Sequence, residues 1–266
     1  MQLSLLARRA LPMIIAVFML AGCREKPAAA TTLSVFAPCG MQMPFMELQK
    51  IFEAQNPGVS VRLVLDGAHV IAKRVVGQGE RPDVVVSPGG VELEPLFAAK
   101  LVDEADTRRF GQYELMLFVP RANSAQVQKI SDLTSDRVKT IAVADPELTS
   151  IGRYTREGLQ KLGLWEKIKS RVVITGDASM TYKHVASSKA DASFAYRSCP
   201  LKTAPEKIEY SKVSVLDPMP PDTYGPAYAT AVVLKDSPRR QLAIAFADML
   251  VSPAGQKVLH KFDMPA

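Results

Sequence analysis

The chain has 266 residues, of which 47% are hydrophobic and 23% charged, an ordinary globular composition that suffices for one large domain or two medium lobes. Its formal net charge of +6 is spread without the basic, aromatic-rich stripe of a nucleic-acid-binding protein, so we expect no nucleic acid partner. The sequence contains no G-x-S-x-G, H-E-x-x-H, C-x-x-C or phosphate-loop motif, and we therefore expect neither an enzyme nor a cofactor.

The N-terminus has the pattern of an export signal that ends at a lipid-attachment cysteine. Two arginines precede the apolar run Leu11–Leu20, which at about ten residues is too short to span a bilayer. The run ends in Leu20-Ala21-Gly22-Cys23, which resembles a bacterial lipobox, and this resemblance implies lipidation of Cys23. A plain secretory signal or an uncleaved anchor is the alternative. We expect residues 1–22 to be a lipoprotein signal peptide and residues 23–32 a tether, which places the protein on a membrane in the periplasm or at the cell exterior.

Short apolar strands alternate with helices in the next part of the chain. The predicted strands are Leu33–Ala37, Val59–Leu65 and Pro82–Ser87, and the predicted helices are Met41–Gln55, His69–Gln78 and Leu93–Lys100. Near-continuous apolar strands separated by helices are typical of a parallel sheet with helices on both sides. The first unit is therefore predicted to be an α/β lobe.

Two long apolar strands, Tyr113–Pro120 and Tyr224–Leu234, are predicted to leave this unit and to return to it. The segments between them predict a second α/β unit, with a helix opening at Ser131 and further segments at Val138–Val143, Gly152–Leu162, Val172–Thr175, Tyr182–Ser188 and Ala190–Ala195. The helices Pro238–Val251 and Pro253–Phe262 close the first unit. Two lobes joined by two crossover strands form a clamshell. We expect residues 33–113 and 228–266 to form lobe 1, and residues 114–227 to form lobe 2.

The stretch around Asp145 predicts a buried strand, a tight loop and an amphipathic helix. Asp145-Pro146 ends the strand, because proline cannot donate to a strand ladder. Leu159 and Leu162 share one helical face with Ile151 or Tyr154, so this face is predicted to pack on the sheet. The first turn of the helix should present unpaired backbone N–H groups at the carboxyl end of the strand, where open α/β sheets bind anions.

The same stretch carries a family resemblance. It contains Asp145-Pro146-Glu147, Gly152-x-Tyr154-Thr155-x-Glu157 and Leu159-x-Lys161-Leu162-Gly163-Leu164-Trp165. These motifs resemble the second lobe of the molybdate-binding (ModA-like) family of periplasmic solute-binding proteins of ABC transporters. The similarity extends from Leu33-Ser34-Val35-Phe36-Ala37 to the C-terminal helix. It implies a type II periplasmic-binding-protein-like clamshell that holds an oxyanion between its lobes.

In that family, hydroxyl groups and backbone N–H groups at strand–helix turns hold the oxyanion. The resemblance places four such turns and a tyrosine at the cleft, with these residues as predicted ligand contacts: Cys39, Gly40, Ala68, His69, Ile151, Ala178 and Tyr196. Tyr196 matches the family pattern, whereas Gly40 and Gly67-Ala68-His69 stand where the family has serines. Each lost hydroxyl costs on the order of 1–3 kcal/mol in a buried site, which argues against molybdate itself.

Soft side chains stand near the lost serines. Cys39, Met41, Met43 and His69 lie on two turns predicted to face the cleft, and Cys199 follows Tyr196 on the opposite lobe. Thiolate, thioether and imidazole groups suit a soft metal or a metalloid, so Cys39, His69 and Cys199 form an alternative metal site. Methionines at such positions are more often core packing than ligands, and His69 is more often a hydrogen-bonded residue at a helix start. Cys39 and Cys199 are predicted either to form a disulfide or to stay free.

Three charged residues near these turns also have structural interpretations. Arg197, beside Tyr196, is either a counter-charge for an anion or a solvated surface residue. Asp66 and Asp177 stand at turn positions and are predicted to be turn or helix-capping groups.

The sequence therefore predicts a monomeric, extracytoplasmic, lipid-anchored solute-binding protein. It would bind a small oxyanion in the cleft and deliver it to its partner, an ABC permease. The alternative is a lipoprotein that binds or senses a soft metal or metalloid through Cys39, His69 and Cys199 without a transporter.

Overall fold

A computed structural model describes residues 31–197, 212–262 and 264 of the chain. Its strands, in chain order, are β1 (Thr31–Pro38), β2 (Val59–Asp66), β3 (Val84–Ser87), β4 (Thr107–Gln112), β5 (Leu115–Pro120), β6 (Ile141–Ala144), β7 (Val172–Thr175), β8 (Ala192–Tyr196), β9 (Val213–Pro218) and β10 (Tyr228–Val233). In the described part of the chain they form two five-stranded sheets, in the orders β2-β1-β3-β10-β4 and β7-β6-β8-β5-β9. The chain is thus an α/β protein in two halves.

Both sheets are mixed, which corrects the prediction of a parallel sheet in each lobe. β1 runs parallel to β2 and β3, whereas β10 runs antiparallel to β3 and β4. Likewise β6 runs parallel to β7 and β8, whereas β5 runs antiparallel to β8 and β9. Parallel neighbours arise where a helical crossover joins two strands. β5 and β10 follow the segments that connect the two halves and not a helical crossover, and they run antiparallel to their neighbours.

The helices are α1 (Gln42–Gln55), α2 (Ala68–Gly77), α3 (Glu94–Ala98), α4 (Ser150–Lys161), α5 (Trp165–Ile168), α6 (Ala178–Ala186), α7 (Arg240–Val251) and α8 (Pro253–Lys261). Short 3₁₀ turns precede α1 at Cys39–Met41 and α3 at Val91–Leu93. The helix predicted to open at Ser131 is only a 3₁₀ turn, Ile130–Thr134. Among the described residues no single helix is long and apolar enough to cross a bilayer, and α7 with α8 meets that test only as a pair bent by 59°.

Several predicted boundaries differ from the structure. β1 begins at Thr31, so the predicted tether 23–32 overlaps the first strand by two residues. The two predicted crossover strands are shorter, because the chain passes between the sheets outside regular strand at 113–114 and 219–227. Leu162 does not belong to the buried face of α4: the helix ends at Lys161, and Leu162 is 37% exposed. The signal peptide and Cys23 lie outside the described residues.

Alternating side chains of the first sheet enter two separate apolar layers. Leu33, Val35 and Val84 join the large core that also contains residues of α1, α7 and α8. Phe36 and Val85, their neighbours in β1 and β3, pack instead in a second cluster with residues of α2 and α3. Helices therefore cover both faces of this sheet, as predicted. The carboxyl ends of its parallel strands β1, β2 and β3 lie on one edge.

Candidate ligand-binding site

Strand register brings the turns that follow the parallel strands next to each other. Pro38 pairs with Asp66 at the ends of β1 and β2, and Ala144 pairs with Thr175 at the ends of β6 and β7. The carboxyl ends of parallel strands meet at the same edge of a sheet. Each half of the protein therefore offers two adjacent strand–helix turns at one edge.

These turns line one cavity of about 270 Å³ between the two sheets. All seven residues predicted as ligand contacts are among those lining it: Cys39, Gly40, Ala68, His69, Ile151, Ala178 and Tyr196. The other lining residues are Pro38, Met41, Asp66, Gly67, Pro88, Glu92, Tyr113, Thr149, Asp177 and Ser179. The structure thus brings the predicted residues together, while their role as ligand contacts stays a prediction.

Three helices, α2, α4 and α6, begin at the wall of the cavity, and their first turns face it. The first N–H groups of a helix have no partner within the helix. The first bonds from residues of α2, α4 and α6 back to the preceding turn are those of Ile71 to Gly67, Arg153 to Thr149 and Thr181 to Asp177, at 2.9–3.0 Å. Ala68, Ile151 and Ala178 come before these positions and line the cavity. The first turns of these helices give this part of the cavity the positive potential of helix N-termini.

Polar side chains fix the starts of these helices. Thr149 Oγ1 accepts the Gly152 N–H at 3.1 Å, and Asp177 Oδ1 accepts the Met180 N–H at 2.8 Å. Asp66 Oδ1 accepts the Gly67 N–H at 2.8 Å. The predictions that Asp66 and Asp177 are turn and capping groups are therefore confirmed. The cavity acids are part of the scaffold that orients the helix starts.

Gly152 allows α4 to approach the end of β6. A Cβ at this position would overlap the carbonyl of Ala144 and the backbone carbon of Asp145. Since these are backbone atoms, a larger residue could not be accommodated by a rotamer change. The glycine of the Gly152-x-Tyr154 motif is thus required by close packing at the edge of the cavity.

Glu92 is the main feature of the site that the sequence analysis missed. It lies on the 3₁₀ turn Val91–Leu93 after β3 and is only 5% exposed. Its Oε1 accepts the Ser150 N–H at 3.0 Å, and its Oε2 is hydrogen-bonded to Ser150 Oγ, which in turn accepts the Val91 N–H at 3.0 Å. Burial raises the pKa of the Glu92 carboxyl, and the bonds from Ser150 partly offset this effect.

The first N–H of α4, which the sequence led us to expect open to an anion, is therefore occupied by a carboxyl oxygen of Glu92. The signal in the sequence was weak. Glu92 stands between Val91 and Leu93, both buried, so the pattern is typical of apolar packing after a strand. A lone acid in such a position gives no indication of its partner, which is 58 residues away.

Two tyrosines form the wall where the chain crosses between the sheets. Tyr113 stacks on Tyr196, with ring centroids 4.4 Å apart and an interplanar angle of 17°. Both are nearly buried, at 6% and 4% exposure. Tyr113 was not predicted as a site residue because it was assigned to the start of a long strand. Its position in the 113–114 crossing puts it beside the cavity instead.

Among the described residues, the soft side chains near the cavity do not group into a metal centre. In the part of the chain that the structure describes, no group of three or more His, Cys, Asp or Glu side chains could hold a metal ion. The Cys39 thiol is free and exposed, and the ring of His69 lies against Gly67 at the start of α2. Cys199 lies outside the described residues. Arg197 pairs with Glu114, as a surface arginine would.

Comparisons with known proteins agree with this arrangement. Residues 33–264 match the family described as bacterial extracellular solute-binding protein. YvgL of Bacillus subtilis (strain 168), provisionally named an ABC transporter substrate-binding lipoprotein, is 25% identical over 256 residues, 94% of this chain and 95% of that protein. Molybdate-binding protein ModA of Haemophilus influenzae is 24% identical over 244 residues, 91% of this chain and 92% of that protein.

A solved structure with a similar fold is the periplasmic molybdate-binding protein of Azotobacter vinelandii. It superposes with a TM-score of 0.70 at 18% identity, covering 88% of this chain and 99% of that one. At 18% identity this similarity shows that the two proteins share the two-lobed fold, and it does not identify the ligand of this protein.

Proposed function

The chain belongs to the family of bacterial extracellular solute-binding proteins, and from that premise we propose that it binds a small oxyanion in the cavity between its two sheets and delivers it to the permease of an ABC importer. The observation that carries the proposal is the convergence of helix first turns from both halves on one cavity. Ala68 lines it from the first half, and Ile151 and Ala178 line it from the second.

Helix N-termini suit an oxyanion because their N–H groups are fixed in advance and aimed at the ligand. Several such donors offset the desolvation of an anion when water is excluded. The cavity volume of about 270 Å³ lies just below the range of about 300–1,000 Å³ typical of drug-sized ligands. A small ion with some bound water fits this volume better than a large organic solute.

Transport follows from binding and does not need turnover. A ligand that contacts both halves stabilises the closed clamshell by its differential affinity for that form. The closed form then presents a different surface to the permease. Lipidation at Cys23 would keep the protein near its permease, and the lipoprotein name of YvgL supports this part of the proposal.

A ligand screen by thermal unfolding tests the proposal. We expect stabilisation by one or more of molybdate, tungstate, sulfate, phosphate and arsenate, with about 2.7 kcal/mol at a ligand concentration of 100 Kd. Copper, zinc and arsenite form the second arm. Stabilisation by these soft ions alone would contradict the oxyanion proposal and favour the alternative with Cys39, His69 and Cys199.

Ala178→Pro tests the N–H groups directly. Proline is tolerated at the first position of a helix and lacks only the N–H, and Asp177 already has the extended backbone that a residue before proline requires. Because a hydrogen bond to a charged group contributes about 1.5–3 kcal/mol, we expect the anion to bind about tenfold more weakly or worse. Ala178→Ser keeps the N–H and is the matched control. Equal affinities of the two variants would contradict the role of this helix start.

A further inference from the structure

Glu92 joins the two halves of the protein through Ser150. Its Oε1 accepts the Ser150 N–H at 3.0 Å, and its Oε2 is hydrogen-bonded to Ser150 Oγ. Glu92 follows β3 in the first half, whereas Ser150 is the first residue of α4 in the second half. Both residues are buried, at 5% and 0% exposure. These hydrogen bonds can therefore exist only while the two halves are together.

The surroundings of Glu92 offer few hydrogen-bond donors to an ionised carboxylate, which can accept about four hydrogen bonds. The N–H and the hydroxyl of Ser150 supply at most two. Ser87 Oγ lies 3.5 Å from Oε2, but it donates its single proton to the Gly89 carbonyl at 2.8 Å. In the described part of the chain, none of the ion pairs involves Glu92. The buried carboxyl is thus better accommodated as a neutral acid whose O–H donates to Ser150 Oγ.

Separation of the two halves changes the environment of this carboxyl. In the closed arrangement burial raises the pKa of the Glu92 carboxyl. When the halves separate, α4 takes Ser150 away, and Glu92, which lines the cavity, faces a cleft open to water. A carboxyl in water ionises at its ordinary pKa of about 4. The closed and the open form therefore hold different numbers of protons at this residue over the pH range between these two pKa values.

We propose that Glu92 is a proton-dependent latch, which takes up one proton from solvent when the two halves close on Ser150 and returns it when they open, so that acidic pH favours the closed form. The closed and open forms are those of the proposed function, on which this inference rests. As the pH rises, the open form ionises first, and the equilibrium constant for closure falls by up to about tenfold per pH unit, the limit for a single proton. By reciprocity, a ligand that favours the closed form also promotes proton uptake.

Other charged groups near Glu92 contribute to the pH dependence of closure. Glu94 pairs with Arg153 across the two halves at 2.5 Å, and protonation of Glu94 in acid would favour the open form. Because this effect has the opposite sign, the measurements stay above about pH 5, where an exposed carboxyl is ionised. The charged and titratable groups on the other packed elements and across the cavity are His69, Lys73 and Arg74 of α2, Tyr154 of α4, Asp66 and Asp177, together with the cysteine and the two tyrosines of the cavity wall. All of them are unchanged by a substitution of Glu92, so a comparison with that variant isolates the latch.

Glu92→Gln tests the latch because glutamine copies the protonated carboxyl and cannot lose that proton. Its carbonyl oxygen accepts the Ser150 N–H, and its amide group donates to Ser150 Oγ, at every pH. Protection of the Ser150 amide from hydrogen exchange is measured without ligand from about pH 5 to about pH 8, relative to an unstructured chain at the same pH. We expect protection in the wild type to fall as the pH rises, by up to about tenfold per unit, while the radius of gyration in small-angle X-ray scattering increases. Glu92→Gln should show neither change.

Glu94→Gln is the matched control. It removes an exposed carboxylate that also bridges the two halves, so protection should be weaker than in the wild type but should keep the wild-type pH dependence. Constant protection in the wild type, or the same pH dependence in Glu92→Gln, overturns the inference. Either result leaves the proposed function standing, because these measurements contain no ligand and the oxyanion screen decides that proposal. If Glu92→Gln does not fold, the pH dependence of the wild type decides alone.

Discussion

At the scale of single residues, Glu92 also couples the stability of the protein to pH. Burial raises the pKa of its carboxyl in the folded protein above the ordinary value that it has in the unfolded chain. Below the unfolded pKa both states hold the proton and the effect vanishes. As the pH rises through that value the unfolded state loses its proton first, so the free energy of unfolding falls until the folded carboxyl also ionises.

We therefore expect the advantage of Glu92→Gln over the wild type in thermal unfolding to grow as the pH rises above the ordinary glutamate pKa of about 4. Each unit between the folded and unfolded pKa corresponds to about 1.4 kcal/mol of stability. Melting temperatures of both proteins are recorded across this range in buffers without oxyanions, with Glu94→Gln as the control at an exposed glutamate. A difference that stays constant with pH would show that the burial of this carboxyl carries no such cost.

The sequence predicted which turns line the cavity, but not which side chains act in it. Cys39, Ala68 and Ile151 were predicted from the family resemblance, and the register of parallel strands brings their turns together. Glu92 and Tyr113 were missed because their roles depend on partners in the other half of the protein. Local patterns contain no information on such pairs.

At the scale of elements, Gly152 fixes the position of α4 against the end of β6. Gly152→Ala places a methyl group into the backbone of Ala144 and Asp145, which cannot rotate away. We expect a loss of about 1–3 kcal/mol in the free energy of unfolding, as in other overpacked sites. Urea titration followed by circular dichroism measures it.

Gly77→Ala is the control for this substitution. Gly77 is the last residue of α2, and nothing lies within 4 Å of its added Cβ. Because alanine favours a helix over glycine by up to about 1 kcal/mol, this variant should be as stable as the wild type or more stable. Equal effects of the two substitutions would mean that α4 can shift away from β6 without cost.

Interior elements were easier to predict than edge elements. β1, β3, β6 and β8 are buried along nearly their whole length and appear in the sequence as continuous apolar runs. β4 and β9 were not predicted, because each is an edge strand and needs apolar residues on fewer positions. In β4 only Phe110 and Gly111 are buried. The antiparallel direction of β5 and β10 could not be predicted from local sequence patterns either, because it depends on how the two halves are connected.

At the scale of the whole molecule, the two halves meet where Gly89 touches Ser150. A Cβ at Gly89 would overlap both Cβ and Oγ of Ser150. The Cβ of Ser150 is fixed to the backbone of α4, so no rotamer removes the overlap and the halves must separate. This contact is next to the hydrogen bonds that join Val91 and Glu92 to Ser150.

Gly89→Ala should therefore open the clamshell, with a cost of about 1–3 kcal/mol to the closed arrangement. We expect a larger radius of gyration in small-angle X-ray scattering and faster hydrogen exchange at the Val91 and Ser150 amides, both measured without ligand. Gly90→Ala, where nothing lies within 4 Å of the added Cβ, should match the wild type. If Gly89→Ala leaves compactness and exchange unchanged, the halves are not held together at this contact. In that case the hydrogen bonds that join Val91 and Glu92 to Ser150 would have survived the displacement that the added methyl group forces on these residues. They would then not depend on how closely the two halves of the protein approach each other.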